Sequence, residues 1–184
     1  MPRRKSGKAL QLRGNRKNQK NQTMVAEGKA NNQLTERVAE IYNWLDLQIH
    51  ESGDLAGVCK ACGRCCDFAR FDHRLFVTTP ELICLAAKLG AENIKPMPTG
   101  KCPYNTDGKC TIYEHRFAGC RIFCCKGDAD FQSGLSESVL SKFKSVCTNL
   151  KIPYRYIDLP NALSNTAANT YQSAGRGRPA GHIG

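Results

Sequence analysis

Cys59-Lys-Ala-Cys62-Gly-Arg-Cys65-Cys66 puts four thiols into eight residues. It contains two overlapping Cys-x2-Cys steps, the spacing at which a tight turn presents two thiolates to one metal. A run of ordinary buried thiols explains it poorly, because apolar packing gives free cysteines no reason to crowd into a segment flanked and interrupted by Gly57 and Gly63. The segment therefore reads as a ligand-bearing loop whose shape a metal sets, and the rest of the chain is organised around it.

A second group follows at Cys102-Pro103, Cys110-Thr-Ile-Tyr113-Glu-His-Arg116 and Cys120-Arg121-Ile-Phe123-Cys124-Cys125. Adjacent residues such as Cys65 and Cys66 project differently, which points to two metals or a polynuclear centre; eight thiolates would make two four-coordinate sites. Zinc favours four tetrahedral thiolates. The Cys59, Cys62, Cys65 spacing is also that of cluster-binding ferredoxins, and Cys102-Pro103 is similar to their proline-flanked ligand, so iron and an iron–sulfur cluster stand beside zinc. Four thiolates on one Zn²⁺ leave a charge of about −2, so cations are needed nearby. Lys60, Arg64, Arg116 and Arg121 lie inside or beside the motifs. Arg116 and Arg121 are the stronger candidates for donating hydrogen bonds to sulfur. His73 and His115 are close enough in sequence to replace a thiol, but the cysteines already suffice and both read as packing or surface residues.

Outward from the cysteines, Leu34, Val38, Ile41 and Leu45 share one helical face, with Trp44 and Ile49 widening it, predicting a helix that ends near Ser52-Gly53. Leu75-Phe76-Val77 is a short extended stretch. Thr78 or Thr79 then caps a helix with Pro80 in its first turn and Glu81 beside it, stopped by Gly90. Residues 91–134 read as loops over a thin core, with a turn at Asp107-Gly108 and a short helical turn near Tyr113 to Cys120. Leu135, Val139, Leu140, Phe143, Val146 and Leu150 predict a four-turn amphipathic helix. Cys84 and Cys147 fall within helical apolar patterns and read as small core residues. After Pro153, the residues Tyr154 to Leu159 read as extended, and an Ala, Asn, Ser and Gly tail begins near Ala167.

At 184 residues the chain suits one core, and its eleven cysteines, an odd number, are sparser than in small disulfide scaffolds. The first thirty residues carry nine Lys or Arg against Glu27 alone, so the basic balance belongs to an arm, not to the folded part. Ala9-Leu10-Gln11-Leu12 breaks off before the apolar run of about seven that an export signal needs, and no stretch approaches the ~18 of a membrane span. A cytoplasmic, reducing location is the expectation. No Ser-His-Asp order with a nucleophile elbow, phosphate-binding glycine loop or dinucleotide fingerprint is present, so hydrolase and kinase readings have no support.

Between about residues 57 and 163 the chain resembles the YkgJ-like cysteine-cluster family, described as a zinc- or iron-chelating domain. The shared motifs are Cys59 to Cys66, Thr78 to Glu81, Cys102-Pro103, Cys110 to Tyr113, Arg116, and Cys120 to Phe123. The family has proline where this chain has Phe117, and its last cysteine falls on Cys125, leaving Cys124 as the alternate. The resemblance implies a ligand set of Cys59, Cys62, Cys65, Cys66, Cys102, Cys110, Cys120 and Cys125.

The expectation is a small, irregular, mainly α, metal-clamped domain over 33–163: two or three helices around a cysteine-rich loop region, with metal supplying much of the folding free energy. A disordered basic arm (1–32) and a disordered tail (164–184) flank it. Its role is metal binding. Two further readings are a metal-dependent redox or methyl-transfer enzyme, since similar clusters occur in proteins resembling flagellin lysine methylases, and an adaptor that binds nucleic acid or an acidic partner through the arm. Deleting residues 1–32 should leave metal content and melting temperature unchanged while weakening salt-sensitive nucleic-acid binding; a truncated chain that no longer folds would contradict the assignment of the arm.

Overall fold

The structure, a computed structural model, describes residues 31–166, so almost all of the arm and of the tail lies outside the described residues. Among the described residues no helix is long and apolar enough to cross a membrane. The fold is mainly helical, as the apolar periodicity requires.

Helix α1 covers described residues 31–51 and buries Leu34, Val38, Ile41 and Leu45, the face read from their spacing. Strand β1 (Phe76–Thr78) runs directly into α2 (Thr79–Leu89), which has Thr78 at its N-cap, Pro80 in its first turn and Gly90, at φ 85°, at its end. Strands β2 (Asn105–Thr106) and β3 (Lys109–Cys110) form a two-residue hairpin. Its turn residues Asp107 and Gly108 have φ of 50° and 76°, the left-handed pair that matches strand twist in such turns. Helix α3 (Ala118–Ile122) is short, preceded by a 3-10 turn at Tyr113–His115.

Helix α4 spans Ala129–Leu150, longer than predicted. The extra first turn is polar and small in sequence, but Asp128 caps it by accepting the Phe131 N–H at 2.7 Å. Strand β4 (Tyr156–Asp158) pairs antiparallel with β1, in register Phe76↔Asp158, Val77↔Ile157 and Thr78↔Tyr156. The extended reading stops there. Residues 159–166 form a further helix, α5, which buries Leu159, Ala162 and Leu163.

Two apolar clusters hold these elements. The first joins α1, α3 and α4 through Leu34, Val38, Leu45, Ile122, Val139 and Phe143, with Tyr42 edge-on to Phe143 at 6.0 Å. The second joins Val77 and Leu85 to Ile94, Met97, Tyr104, Ile112 and Phe117 from the loop region, and to α5. This corrects the thin core expected for residues 91–134: single apolar residues without helical or strand period converge there. Cys84 and Cys147 are buried, as read.

Between the clusters lies the carboxylate of Glu81, almost fully buried. Its Oε2 accepts from the Thr78 N–H (2.8 Å) and Oγ1 (2.7 Å); its Oε1 accepts from the Ala118 N–H (2.7 Å) and the Tyr42 hydroxyl (3.3 Å). Burial raises the Glu81 pKa above its usual range, against the lowering effect of those donors. The side chain accepts from the N-cap N–H of α2 and the first N–H of α3, and ties both to α1. Glu81→Ala would strand those buried donors, so a loss of about 3 kcal/mol or more is expected in urea unfolding; a loss under about 1 kcal/mol would show that water replaces the carboxylate without cost.

Candidate metal centre

The Cys59–Cys66 segment is shaped by its backbone. Gly63 sits at φ 69°, and a Cβ there would collide with the Gly108 carbonyl oxygen at the hairpin turn. The Asn105 amide closes the same contact, donating to the Gly63 carbonyl at 3.1 Å and accepting from the Gly108 N–H at 3.2 Å. Arg64–Cys66 then make a 3-10 turn, and the chain leaves it antiparallel to residues 100–102. Cys102 N–H donates to the Cys66 carbonyl at 2.8 Å, Asp67 bridges to Lys101, and Ala69 N–H donates to the Gly100 carbonyl at 3.1 Å. Helix α3, held by Glu81, brings Cys120 to the opposite side.

Six cysteines from four segments thus line one cavity of about 350 Å³: Cys59, Cys65, Cys66, Cys102, Cys110 and Cys120. Cys66 is the centre of the group. Its thiol is hydrogen-bonded with those of Cys102 and Cys65 and with Asn105; these bonds, with His73 nearby, pull its pKa far below that of a free thiol despite burial. The same bonds push Cys65 and Cys102 up. Burial raises Cys110, and it raises Cys120 to about 12; the Arg116 charge counters both.

Three of these sulfurs share a backbone device. Ala61 N–H donates to Cys59 Sγ at 3.4 Å, and the backbone of Tyr104 and of Ile112 hydrogen-bonds the sulfurs of Cys102 and Cys110. In each case the donor lies two residues after the cysteine. An N–H aimed at sulfur stabilises the thiolate, the form that ligates metal, and fixes its direction.

Cys65 and Cys66 were expected to point apart, yet the 3-10 turn turns both thiols into the cavity. Cys62 and Cys125 are exposed and outside the cavity lining; Cys124 is buried, with its backbone bonded at both ends by the Gln132 amide (3.1 Å each). Arg116 lies over the Tyr113 ring at 3.6 Å and bonds the Cys120 carbonyl at 3.4 Å, at the edge of the thiols. Arg121 is elsewhere. Its guanidinium is taken up by Asp46 (2.7 Å) and the carbonyls of Glu114 (2.8 Å) and Arg116 (3.0 Å), over the Tyr42 ring, so the expected bond to sulfur is not made. His73 bonds the Cys65 carbonyl at 2.9 Å and stacks on Phe123, and His115 lies beside Arg121 in a separate polar pocket. Asn105 and Glu81, which position the cysteines, carried no sequence signal of that role beyond the capping pattern of Glu81.

Among the described residues no three His, Cys, Asp or Glu side chains stand in metal-ligating geometry. The donor set nonetheless fits a thiophilic ion in kind: soft sulfur ligands with N–H support and a nearby cation. Coordination would require rotamer changes at the cysteines and loss of the shared protons. Comparison with protein-family profiles, curated proteins and solved structures returns no match.

Because the pKa values of Cys65, Cys102 and Cys120 are raised, metal capture at pH 7 should release protons from these thiols, and affinity should rise with pH. Calorimetry of zinc uptake in buffers of different ionisation enthalpy measures this; uptake without proton release would remove these three from the ligand set.

Proposed function

We propose that this chain is a metal-binding protein that takes up zinc or iron, the latter as an ion or an iron–sulfur cluster, through the thiols of Cys59, Cys65, Cys66, Cys102, Cys110 and Cys120. The single observation that carries the reading is that six cysteines from four segments line one cavity. Thiols used only for packing have no reason to converge so, whereas a metal needs several around it. The crowding around Cys66 supports the same reading: a thiolate pressed against several thiols gains more from a dication than from shared protons. The resemblance to the YkgJ-like cysteine-cluster family implies the same chemistry, with a ligand set that adds Cys62 and Cys125 to these six.

Metal would act mainly on residues 57–74. That stretch has Val58 and Phe71 exposed, and beyond a 3-10 turn it has little regular structure, while the helices and the second apolar cluster have packing of their own. The metal clamp is thus local. Demetallation loosens the cysteine segment and its hairpin contact without unfolding the helices.

Metal content of purified variants is the test. Cys66→Ser should lose most of the metal, and Cys102→Ser and Cys120→Ser a large part. Cys84→Ala and Cys147→Ala should keep it while costing on the order of 1 kcal/mol. Cys62→Ser and Cys125→Ser should also keep it, since both lie outside the cavity lining. Full metal in the Cys66 variant, or wild-type protein that binds neither zinc nor iron when refolded with either, would overturn the reading. A broad visible absorption band near about 400 nm, with inorganic sulfide, identifies a cluster; a colourless zinc protein identifies a mononuclear site.

A further inference from the structure

The cavity is larger than one metal ion needs, and only part of its wall is thiol. The remainder is lined by β1, β4, α3, one face of α4 and the loops beside them, with Val139 and Leu140 among its residues. Three aromatic side chains line it while remaining exposed: Phe76 at 39%, Phe123 at 44% and Tyr156 at 49%. Phe76 and Tyr156 are tilted against each other at a centroid distance of 5.3 Å, and Phe123 is stacked on His73 at 5.7 Å with 10° between planes. Each of these rings has one ring partner yet keeps more than a third of its surface exposed, and a flat ring would cover that surface.

The charge in the lining singles out one group. Arg116 is occupied by the Tyr113 ring and the Cys120 carbonyl, and Glu81 is satisfied by four donors. Arg74 also lines the cavity and has no hydrogen bond, ion pair or ring partner among the described residues. A guanidinium with all its donors free beside an apolar wall is suited to a carboxylate.

We propose that the apolar half of this cavity binds a small aromatic carboxylate, its ring against Phe76, Tyr156 and Phe123 and its carboxylate on Arg74. The whole cavity, thiol wall included, is about 350 Å³, at the small end for ligand pockets, so its apolar part takes no more than one or two fused rings. Phe76 and Tyr156 stand on the paired strands β1 and β4, whereas Arg74 and Phe123 lie in loops beside the cysteine segment, so metal content is read alongside binding.

The probe is 2-naphthoate, followed by ligand-observed NMR on the full chain as purified, with metal content measured on each sample so that metal loss and ligand loss are read separately. Binding is expected with a dissociation constant on the order of 0.1–1 mM. The neutral 2-naphthamide should bind about fivefold more weakly, and Arg74→Gln should abolish that difference. Phe76→Ala and Tyr156→Ala, both at exposed positions, should each weaken naphthoate about tenfold. Absence of binding at several millimolar, or affinity unchanged in both aromatic variants, would overturn the site; equal affinity for naphthoate and naphthamide would overturn the role of Arg74.

Discussion

The buried carboxylate of Glu81 is the constraint on which the arrangement depends. Two helices end against each other at this point, and each helix start leaves N–H groups that no carbonyl of its own can reach. Glu81 accepts from Thr78 at the start of α2 and from Ala118 at the start of α3, and receives the Tyr42 hydroxyl of α1. The short helix carrying Cys120 is thereby fixed against the β1–α2 corner. Without that bond a five-residue helix has little of its own to hold it in place. The wall of the thiol cavity is thus set by a hydrogen-bonded carboxylate that no metal need touch.

On the other wall the support is mostly backbone. The Cys66 carbonyl receives the Cys102 N–H, and Gly63 lies flat on the Gly108 carbonyl because it has no Cβ. These contacts bring cysteines distant in sequence together before any ion is considered. What they leave unresolved electrostatically is the charge on Cys66, stabilised only by neighbouring thiols, Asn105 and the field of His73. Under the proposed function a dication would answer that charge and clamp residues 57–74, a stretch held to the second apolar cluster by Phe68. Metal bound as proposed would complete a scaffold in which two apolar clusters already pack, whereas the sequence suggested that metal would supply much of the folding free energy.

Helical periodicity was the legible part. Leu34, Val38, Ile41 and Leu45, and Leu135, Val139 and Phe143, are all buried on the faces their spacing indicated, and Thr78 and Gly90 bound their helix as cap chemistry requires. The loop-region core was not legible, since Ile94, Met97, Tyr104, Ile112 and Phe117 follow no period and meet only in three dimensions. Helix α5 was hidden for a related reason: its Pro-Asn-Ala-Leu-Ser sequence looks like the start of a tail, and only burial of Leu159 and Leu163 against the second cluster makes it helical. In the site, spacing brought all eight candidate cysteines to notice but not which of them line the cavity, because the direction of a loop side chain depends on turns such as Arg64–Cys66. Arg121 shows the same limit. Its neighbourhood in sequence is Cys120, but its guanidinium reaches across to Asp46 on α1.

X-ray absorption at the edge of whichever metal the purified protein carries tests the central claim most directly, because it reports the ligand atoms themselves. The account predicts a first shell of sulfur at about 2.3 Å, three or four per metal, with little nitrogen or oxygen. A first shell dominated by nitrogen and oxygen, or protein that carries no metal after preparation in the presence of zinc or iron, would contradict it.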